Sequence, residues 1–512
     1  MKKITALLAL TGLLLLQACK KTSNTESINA PEIIPAASID AFIKQKMQAN
    51  NKFEWQDASD AMIWSALQQS DKILSIGYQP TDEINVADRL ANIDINTTKW
   101  KAAKLQVQEM ILQTEKKTRP SITINELEEW EENVLPVMDI RVENFETVKL
   151  LRASNLIRYA EPMGYEPKGV IGREGVLSSS GCGYNIAEAG LVEGVDFTTI
   201  SPNTKQSWNY GYHNIASAWT KATGTGIKVF IIDTGCELDQ ENLGSSFNQG
   251  NSAGRTVEKI VTLPRSTFFG IPTGPVESAD DGCGHGTSMA GACAAPRGID
   301  GAACGIAYNC NLVTCRAAAD VYLDESREVK GAADAYTNAA NRSDVKIISM
   351  SMGKITSSSQ LSDAIKYAYG KGKLMFCAAG TSFGWTAGWF GVIFPGYMSE
   401  VNAVTGVRDN NFNNNCTDCH QGAETDFTVV MEKASNERHP ITLAMTGDAP
   451  STVGGSSVAT ASTTGMAALI WSRFPAYTRD QVVNKMILNS SNYPVKNSNL
   501  GWGNVNVNTA TN

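Results

Sequence analysis

The chain has 512 residues, of which 42% are hydrophobic and 19% are charged, so it can bury a large core. Its 44 Lys and Arg against 52 Asp and Glu leave a net charge of −8, which gives no electrostatic basis for binding nucleic acid. The single long apolar run lies at the N-terminus, which excludes a protein with several membrane-spanning helices.

The first 19 residues have the pattern of a bacterial export signal. Two lysines precede an apolar run that is too short to span a membrane and that ends in LQAC at residues 16–19. This ending resembles a lipobox, in which Cys19 becomes the first mature residue and carries a lipid. Ordinary cleavage with Cys19 uninvolved is the alternative. We predict a signal peptide over residues 1–18, a flexible tether over residues 19–37, and lipid anchoring to a bacterial membrane, facing the periplasm or the cell surface.

The next part of the chain, residues 38–165, contains no cysteine and has two helical patterns. Apolar residues recur at spacings of three and four in residues 58–69 and 98–117. Residues 135–162 then have the pattern of a strand, a helix and a strand. These patterns predict a small α+β domain. Residues 166–202 include a Gly- and Ser-rich stretch, which predicts a linker or a processing segment.

From residue 203 to residue 512 short apolar runs rich in β-branched residues alternate with helical patterns. The alternation predicts an α/β domain with a parallel sheet and helices on both of its faces. Active sites in such sheets lie beyond the carboxyl ends of the strands. The predicted strands are residues 227–233, 312–315, 345–350, 374–378 and 401–404, and the predicted helices are residues 326–340, 360–369, 457–474 and 479–488.

Three short motifs lie at the predicted ends of strands and helices: DTG at residues 233–235, HGT at residues 285–287 and GSS at residues 455–457. Each motif alone is more often a turn, a loop or a helix cap. Together they supply what a serine nucleophile needs. A serine hydroxyl requires an imidazole to take its proton, and the imidazole requires a carboxylate to fix its tautomer. We therefore predict Ser457 as nucleophile, His285 as general base and Asp233 as the residue that orients His285.

The order Asp, His, Ser with these flanks resembles the subtilisin-like serine peptidases, or subtilases. Four further segments resemble parts of the same family: GIA at residues 305–307, SMSMG at 349–353, AAG at 378–380 and GWGNVN at 501–506. The resemblance covers about residues 203–510. It implies a serine endopeptidase that cleaves peptides or proteins through an acyl-enzyme and requires no cofactor.

The resemblance also implies the residues that bind substrate. A strand would pair with the substrate backbone, a pocket wall would contact the side chain before the cleaved bond, and an apolar floor would favour a modest apolar side chain there. These residues are Ser351, Met352 and Gly353 for the strand, Ala378, Ala379 and Gly380 for the wall, and Ile393 for the floor.

At the oxyanion position the chain departs from the family, because Thr381 stands where subtilases usually have Asn. A hydroxyl can donate a hydrogen bond, but it is shorter than an amide. Either Thr381 donates directly or through water, or another donor replaces it, or the enzyme is slow. We expect an active enzyme with Thr381 as a weak or substitute donor. A catalytically weak or inactive peptide-binding protein on the same fold is the alternative.

Residues 137–162 resemble the last half of an inhibitor-type subtilase propeptide. The resemblance implies that residues 38–165 cover the active site of an inactive precursor, and that cleavage falls between about residues 166 and 203. The chain's own N-terminal domain would then be a binding partner of the catalytic domain. A permanent accessory domain is the alternative.

Many subtilases use calcium as a structural ion, so the acidic residues near the first two motifs are candidate ligands. Asp239, Glu241, Asp280 and Asp281 lie there, but no spaced loop of oxygen ligands is visible. We therefore favour solvated carboxylates, with calcium left possible and no other metal site predicted.

All cysteines except Cys19 lie from Cys182 onward, and export favours disulfides among them. Cys416 and Cys419 belong to CTDCH, which matches the attachment pattern of c-type haem. Metal binding and a local disulfide are the alternatives. We predict the disulfide, because the match is single and lies in a polar loop. Cys236 and Cys283 flank the first two motifs and are further disulfide candidates.

Overall fold

A computed structural model describes residues 30–167, 182–183, 185–268, 271–381 and 391–512. The predicted signal peptide, the lipidation site Cys19 and much of the predicted processing segment therefore lie outside the described residues. Among the described residues, no helix combines the length and the apolar character needed to cross a bilayer.

The N-terminal domain packs four helices against a small antiparallel sheet. In chain order its elements are α1 (Ala36–Asn50), α2 (Asp60–Gln68), β1 (Ile73–Tyr78), α3 (Thr98–Thr118), β2 (Glu128–Trp130), β3 (Val137–Arg141), α4 (Phe145–Arg152) and β4 (Ile157–Pro162). The strands lie in the order β2-β3-β1-β4. The two helical patterns predicted by the sequence are α2 and α3, and the strand, helix and strand are β3, α4 and β4.

The larger domain contains a parallel sheet of seven strands. Its elements are β5 (Phe197–Ile200), β6 (Thr204–Ser207), α5 (Ile215–Ala218), β7 (Lys228–Asp233), β8 (Val257–Val261), β9 (Thr267–Phe268), β10 (Ile271–Pro272), α6 (His285–Ala294), β11 (Asn311–Arg316), α7 (Ser326–Asn341), β12 (Ile347–Met350), α8 (Ser359–Gly370), β13 (Leu374–Ala378), β14 (Asn402–Arg408), β15 (Thr425–Glu432), β16 (Ile441–Leu443), β17 (Pro450–Thr452), α9 (Gly455–Arg473), α10 (Arg479–Leu488) and α11 (Val507–Ala510). The parallel strands lie in the order β15-β14-β13-β12-β7-β11-β8.

Both faces of this sheet are covered by helices, because successive side chains of a strand point to opposite faces. Along β7, Val229 and Ile231 join the core under α6 and α9. Phe230 and Ile232 join the core under α7 and α8. The predicted α/β fold with helices on both faces is therefore confirmed.

Two strands of the seven-stranded parallel sheet were not predicted from the sequence. The edge strand β8 (VEKIV) is only half-buried and carries charged residues, so its apolar signal is weak. Strand β15 is buried but begins with polar residues. The predicted strand at 401–404 is the first half of β14.

The N-terminal domain rests on α7 and α8, and one continuous apolar core joins the two domains. Ion pairs cross the same boundary: Lys330 lies 3.3 Å from Glu132, and Arg158 lies 2.6 Å from Asp363. Burial of apolar surface dominates this contact, because removing charges from water offsets much of the attraction between them.

Candidate active site

The three predicted catalytic residues lie at the carboxyl edge of the parallel sheet. Asp233 is the last residue of β7, and His285 is the first residue of α6. Ser457 lies in the first turn of α9. The neighbouring strands β7 and β12 pair Ile232 with Met350, so Asp233 and Ser351 leave the sheet side by side. Ser351 in turn contacts Ser457.

The carboxylate of Asp233 and the ring of His285 form a buried hydrogen bond. The Nδ1 atom of His285 lies 2.7 Å from Oδ1 of Asp233, and the two residues are 3% and 1% exposed. The backbone N–H of Thr234 donates to the same carboxylate oxygen at 2.8 Å. Burial alone would lower the pKa of His285, but the charge and the hydrogen bond of Asp233 outweigh it, so the pKa is raised. The ring nitrogen Nε2 is left to act as a base.

A hydrogen bond to a short side chain and a close contact between backbones hold together the loops that carry Asp233 and His285. The N–H of Gly286 donates to Oγ1 of Thr234 at 3.0 Å. A Cβ at position 286 would lie 2.2 Å from the carbonyl oxygen of Gly235, so only glycine fits there. The two motifs DTG and HGT thus contact each other directly, which explains the glycine at position 286, whereas Gly235 has a φ of +119° and lies against the backbone of Asp280.

Asp281 stabilises the start of α6, a role that the sequence analysis missed. Its buried carboxylate accepts five hydrogen bonds, from the Oγ1 atoms of Thr234 and Thr287 and from the N–H groups of Cys283, Gly284 and Thr287. An acidic residue just before a helix is a recognisable N-terminal signal. Asp281 thus holds in place the first turn of α6, which carries His285. Both carboxylate oxygens of Asp281 accept hydrogen bonds from protein groups.

The hydroxyl of Ser457 is half-buried and donates to the carbonyl oxygen of Ser351 at 3.4 Å. The hydroxyl of Ser351 donates back to the carbonyl of Ser457 at 2.9 Å. A rotation about the Cα–Cβ bond of Ser457 is the movement that would redirect its hydroxyl toward an imidazole. Catalytic hydrogen bonds are often long or poorly aligned before substrate binds.

The N-terminus of α9 gives this edge a positive electrostatic potential. Backbone N–H groups of the first turn have no partners within the helix, and Ser457 lies in that turn. Gly455 begins the helix with a φ of +77°, and a Cβ there would lie 2.8 Å from Oγ1 of Thr381. The helix start and the loop after β13 therefore pack without room for a side chain at position 455.

A sequence model of the subtilase family matches residues 224–503, which include all three predicted catalytic positions. The chain belongs to the subtilase family. Members of this family are serine peptidases, and the parallel sheet described above fits that assignment.

Several proteins are similar to this subtilase. Alkaline elastase YaB of Bacillus sp. (strain YaB) is 27% identical over 292 residues, which are 56% of this chain and 65% of that protein. Thermitase of Thermoactinomyces vulgaris is 29% identical over 208 residues, which are 40% of this chain and 64% of that protein. The match therefore spans less than two thirds of the length of both curated relatives. The solved structure of the MycP3 protease from the type VII (ESX-3) secretion system is 22% identical, covers 63% of this chain and 91% of that one, and has a TM-score of 0.46.

Thr381 of this subtilase lies directly beside the helix start, where it contacts Ser456. Its hydroxyl lies 2.9 Å from the hydroxyl of Ser456 and accepts the N–H of Ser456 at 3.1 Å. The N–H of Gly380 donates to the hydroxyl of Ser456 at 3.2 Å. Ser456 therefore joins the loop after β13 to α9, a contact that the motif alone did not reveal.

The predicted pocket wall and strand face each other, and Ile393 lies between them. Its Cδ1 atom lies 2.8 Å from the position of a Cβ at Gly353, and its Cγ1 atom lies 3.0 Å from the position of a Cβ at Gly380. Its N–H donates to the carbonyl of Ala379 at 2.9 Å. The other wall and strand residues, Ser351, Met352 and Ala378, are buried as well. The side chain of Ile393 thus occupies the space between the two walls.

The structure joins Cys416 and Cys419 in a disulfide, which leaves neither thiol available for covalent attachment of haem. The loop that carries this disulfide packs against the predicted pocket wall and the residue that follows it. Cys419 pairs with Thr381 as an isolated β-bridge, and the N–H of His420 donates to the carbonyl of Gly380 at 2.9 Å. Burial lowers the pKa of His420 to about 4, so its ring is neutral near pH 7.

A second disulfide links Cys182 to Cys283, two residues before His285. Cys236, the other sequence candidate beside the motifs, carries a buried free thiol. The pairing ties the chain after the N-terminal domain to the loop that leads into α6. Asn185 adds a hydrogen bond from its side chain to the carbonyl of Gly284 at 2.9 Å.

Candidate metal ligands do not gather in the part of the chain that the structure describes. No group of three or more His, Cys, Asp or Glu residues there could hold a metal ion. Of the four candidate calcium ligands, Asp280 accepts a hydrogen bond from the N–H of Leu238 at 3.2 Å. The carboxylate of Asp281 accepts its five hydrogen bonds from protein groups. Solvated carboxylates stay the favoured prediction for these four residues, and a structural calcium ion stays its alternative.

Proposed function

We propose that this chain is an exported serine endopeptidase that hydrolyses peptide bonds with Ser457, His285 and Asp233. The observation that carries the proposal is the buried hydrogen bond of 2.7 Å between Asp233 and His285, at the same sheet edge as Ser457. A buried carboxylate that holds an imidazole beside a helix-start serine is the arrangement that acyl transfer requires.

In the proposed mechanism His285 takes the proton of Ser457 as the serine oxygen attacks the substrate carbonyl carbon. The negative charge of Asp233 stabilises the imidazolium that forms. The backbone N–H of Ser457 and the start of α9 stabilise the developing oxyanion. His285 then protonates the leaving amine, which produces an acyl-enzyme. A water molecule, deprotonated by His285, releases the acid product and restores the serine.

The test of this proposal is a fluorophosphonate probe, which forms a covalent bond only with an activated serine. The purified protein is treated with the probe, and the modified peptide is identified by mass spectrometry. Labelling at Ser457 supports the endopeptidase. Intact protein without labelling would favour the alternative, a peptide-binding subtilase with little or no catalytic activity, which the engagement of Thr381 by Ser456 suggests.

We expect Thr381 to be a weak oxyanion donor, and Thr381→Val tests this. Valine keeps the shape of the side chain and removes the hydroxyl. Because the hydroxyl also bonds to Ser456, its loss should lower kcat by about 10- to 100-fold, at or below the 10²–10³-fold effect of a dedicated donor. KM for a peptide substrate should change little. An unchanged kcat would show that another group stabilises the oxyanion.

The proposed substrates are peptides with a small side chain before the cleaved bond. Ile393 fills the gap between Gly353 and Gly380, so little room remains for a larger group. Ile393→Gly should therefore raise kcat/KM for substrates with phenylalanine at this position by about tenfold or more, since burying an aromatic ring contributes about 1.5–3 kcal/mol. The measurement compares alanine and phenylalanine substrates for both proteins. An unchanged preference would place the specificity pocket elsewhere.

In the proposed precursor, the N-terminal domain covers α7 and α8 of the catalytic domain until the chain between the two domains is cut. The residues that the structure describes on either side of the proposed cut contact different parts of the molecule. Glu166 contacts the turn at residues 355–356, whereas Cys182 is bonded to Cys283. We propose that the cut falls in the range that the sequence predicts, between about residues 166 and 203. A lipid on Cys19 would then remain on the N-terminal domain, and the catalytic domain would stay at the membrane only while the shared core holds the two parts together.

A further inference from the structure

The CTDCH motif at residues 416–420 lies between the parallel sheet and the loop after β13. The sulfurs of Cys416 and Cys419 are bonded to each other, and both residues are buried. A Cβ at Gly406 would lie 2.9 Å from each sulfur, so the disulfide packs directly on the backbone of β14. The disulfide is therefore fixed against one strand of the sheet.

The first half of the motif is bonded to β14 and β15. The N–H of Cys416 donates to the carbonyl of Gly406 at 2.9 Å. The N–H and the hydroxyl of Thr417 donate to the carboxylate of Glu432, the last residue of β15, at 2.7 and 2.9 Å. Arg408 lies 2.8 Å from the same carboxylate. These contacts give the start of the motif a fixed position on the sheet.

The second half of the motif contacts the loop that carries Thr381. Cys419 forms an antiparallel β-bridge with Thr381, and the N–H of His420 donates to the carbonyl of Gly380 at 2.9 Å. The ring of His420 lies against Gly380, where a Cβ would be 2.5 Å from its Nδ1 atom. Ser456 of α9 contacts the hydroxyl of Thr381 as well. Thr381 thus contacts both the motif and the start of the helix that carries the proposed nucleophile.

The disulfide fixes the distance between the two halves of the motif. It joins residues that are three apart in the sequence. Without it, only the main chain of residues 417–418 would connect the half that is bonded to the sheet with the half that contacts Thr381. That main chain would regain conformational freedom. A displacement of about 1 Å in a group at an active site can lower the rate by about 10²-fold, so the rigidity of this connection affects catalysis.

We propose that the disulfide between Cys416 and Cys419 positions Thr381 at the oxyanion site and thereby contributes to kcat. The inference rests on the proposed function, in which Thr381 is a weak oxyanion donor, and it adds the contact that holds this donor in place. Cys419 is a positioning residue, because it acts through Thr381. The CTDCH motif thus has a role in catalysis that does not involve attachment of haem.

The test is a double-mutant cycle on the full chain. Cys416→Ser and Cys419→Ser together give the open-loop variant, which lacks this disulfide. The open-loop change is made both with and without Thr381→Val, and kcat and KM for an alanine-rich peptide are measured for the four proteins. Changes at independent sites add in free energy, whereas changes at residues that act through one another do not.

We expect the open-loop variant to lower kcat by about fivefold to tenfold, with KM changed by less than about twofold. In the Thr381→Val background the open-loop change should lower kcat by less than about twofold, because the hydroxyl that the disulfide positions is already absent. Equal losses of kcat in the two backgrounds would overturn the proposal, and so would an open-loop variant with unchanged kcat.

Removal of the disulfide between Cys182 and Cys283 is the matched control. Cys283 lies two residues before His285, so this disulfide should act on the general base and not on Thr381. Cys182→Ser with Cys283→Ser should therefore lower kcat by the same factor with and without Thr381→Val. If this pair also lost its effect in the Thr381→Val background, a general loosening of the domain would explain both results, and the positioning role would be overturned.

Hydrogen exchange gives a second readout that requires no catalysis. In protein with Ser457→Ala, the amide of His420 reports its bond to Gly380, and it should exchange about tenfold faster in the open-loop variant. Unchanged exchange would overturn the positioning role whether or not the parent hydrolyses peptides. Missing fluorophosphonate labelling of the parent would instead overturn the proposed function. Gly406→Ala keeps both cysteines, places a methyl group 2.9 Å from each sulfur, and should reproduce the lower kcat if the open-loop variant folds poorly.

Discussion

Ser457→Ala should abolish peptide hydrolysis, with kcat falling by about 10⁶-fold, because the attacking oxygen is removed and only binding and oxyanion stabilisation remain. Fluorophosphonate labelling should disappear at the same time. If the proposed precursor cuts itself, the variant should also accumulate as one uncut chain, which N-terminal sequencing and gel mobility would report. Hydrolysis and processing that persist in purified Ser457→Ala protein would contradict the assignment.

Ser456→Ala is the matched control, since it removes a hydroxyl from the adjacent serine in the same motif. Ser456 is fully buried and bonds to Gly380 and Thr381, so its loss should loosen the loop after β13. We expect about a fivefold to tenfold fall in kcat, the effect of one neutral hydrogen bond, while labelling at Ser457 continues. A reversal of the two results would make Ser456 the nucleophile.

Asp233→Asn is expected to lower kcat/KM by about 10⁴-fold while leaving the fold intact. An amide at this position no longer fixes the tautomer of His285 that accepts the serine proton, and it no longer stabilises the imidazolium. The variant is nearly the same size as the parent, and Asp233 is buried, so packing should change little. Circular dichroism and thermal unfolding of the two proteins serve as the control for folding.

The same variant should shift the dependence of activity on pH. His285 acts as a base only when it is neutral, so activity falls as pH drops below its pKa. In the parent protein Asp233 raises this pKa against the effect of burial. In Asp233→Asn burial remains and the charge is gone, so the acid limb of the kcat/KM profile should move to lower pH. An acid limb that stays in place would show that another group controls it.

The prediction of the fold from sequence succeeded where the hydrophobic pattern was strong. Strands β7, β12 and β13 are short, continuous apolar runs, because both of their faces are buried under helices. The edge strand β8 escaped prediction because it is only half-buried and because Glu258 and Lys259 interrupt its apolar run. Its assignment depends on pairing with β11, which no local pattern can reveal.

The catalytic site likewise combines residues that the sequence predicts with contacts that only the structure reveals. The motif residues Asp233, His285 and Ser457 could be named from their types and order, since acyl transfer by serine needs this set of groups. The contacts that hold these residues in place could not be named from the sequence. The carboxylate of Asp281 accepts the N–H of Thr287 at the start of α6 only in the folded chain, and Ser456 contacts Thr381 in the same way. Each of these contacts joins residues that lie far apart in the sequence or on different elements.

By itself the sequence determined the α/β class and the membership of this chain among the subtilases, because local periodicity and residue chemistry are written along the chain. Only the tertiary structure decided that Ile393 fills the gap between Gly353 and Gly380, that Cys283 pairs with Cys182, and that Tyr322 forms a β-bridge with Gly353. These features depend on distances between segments that are remote in sequence, and such distances are set by the packing of the whole domain.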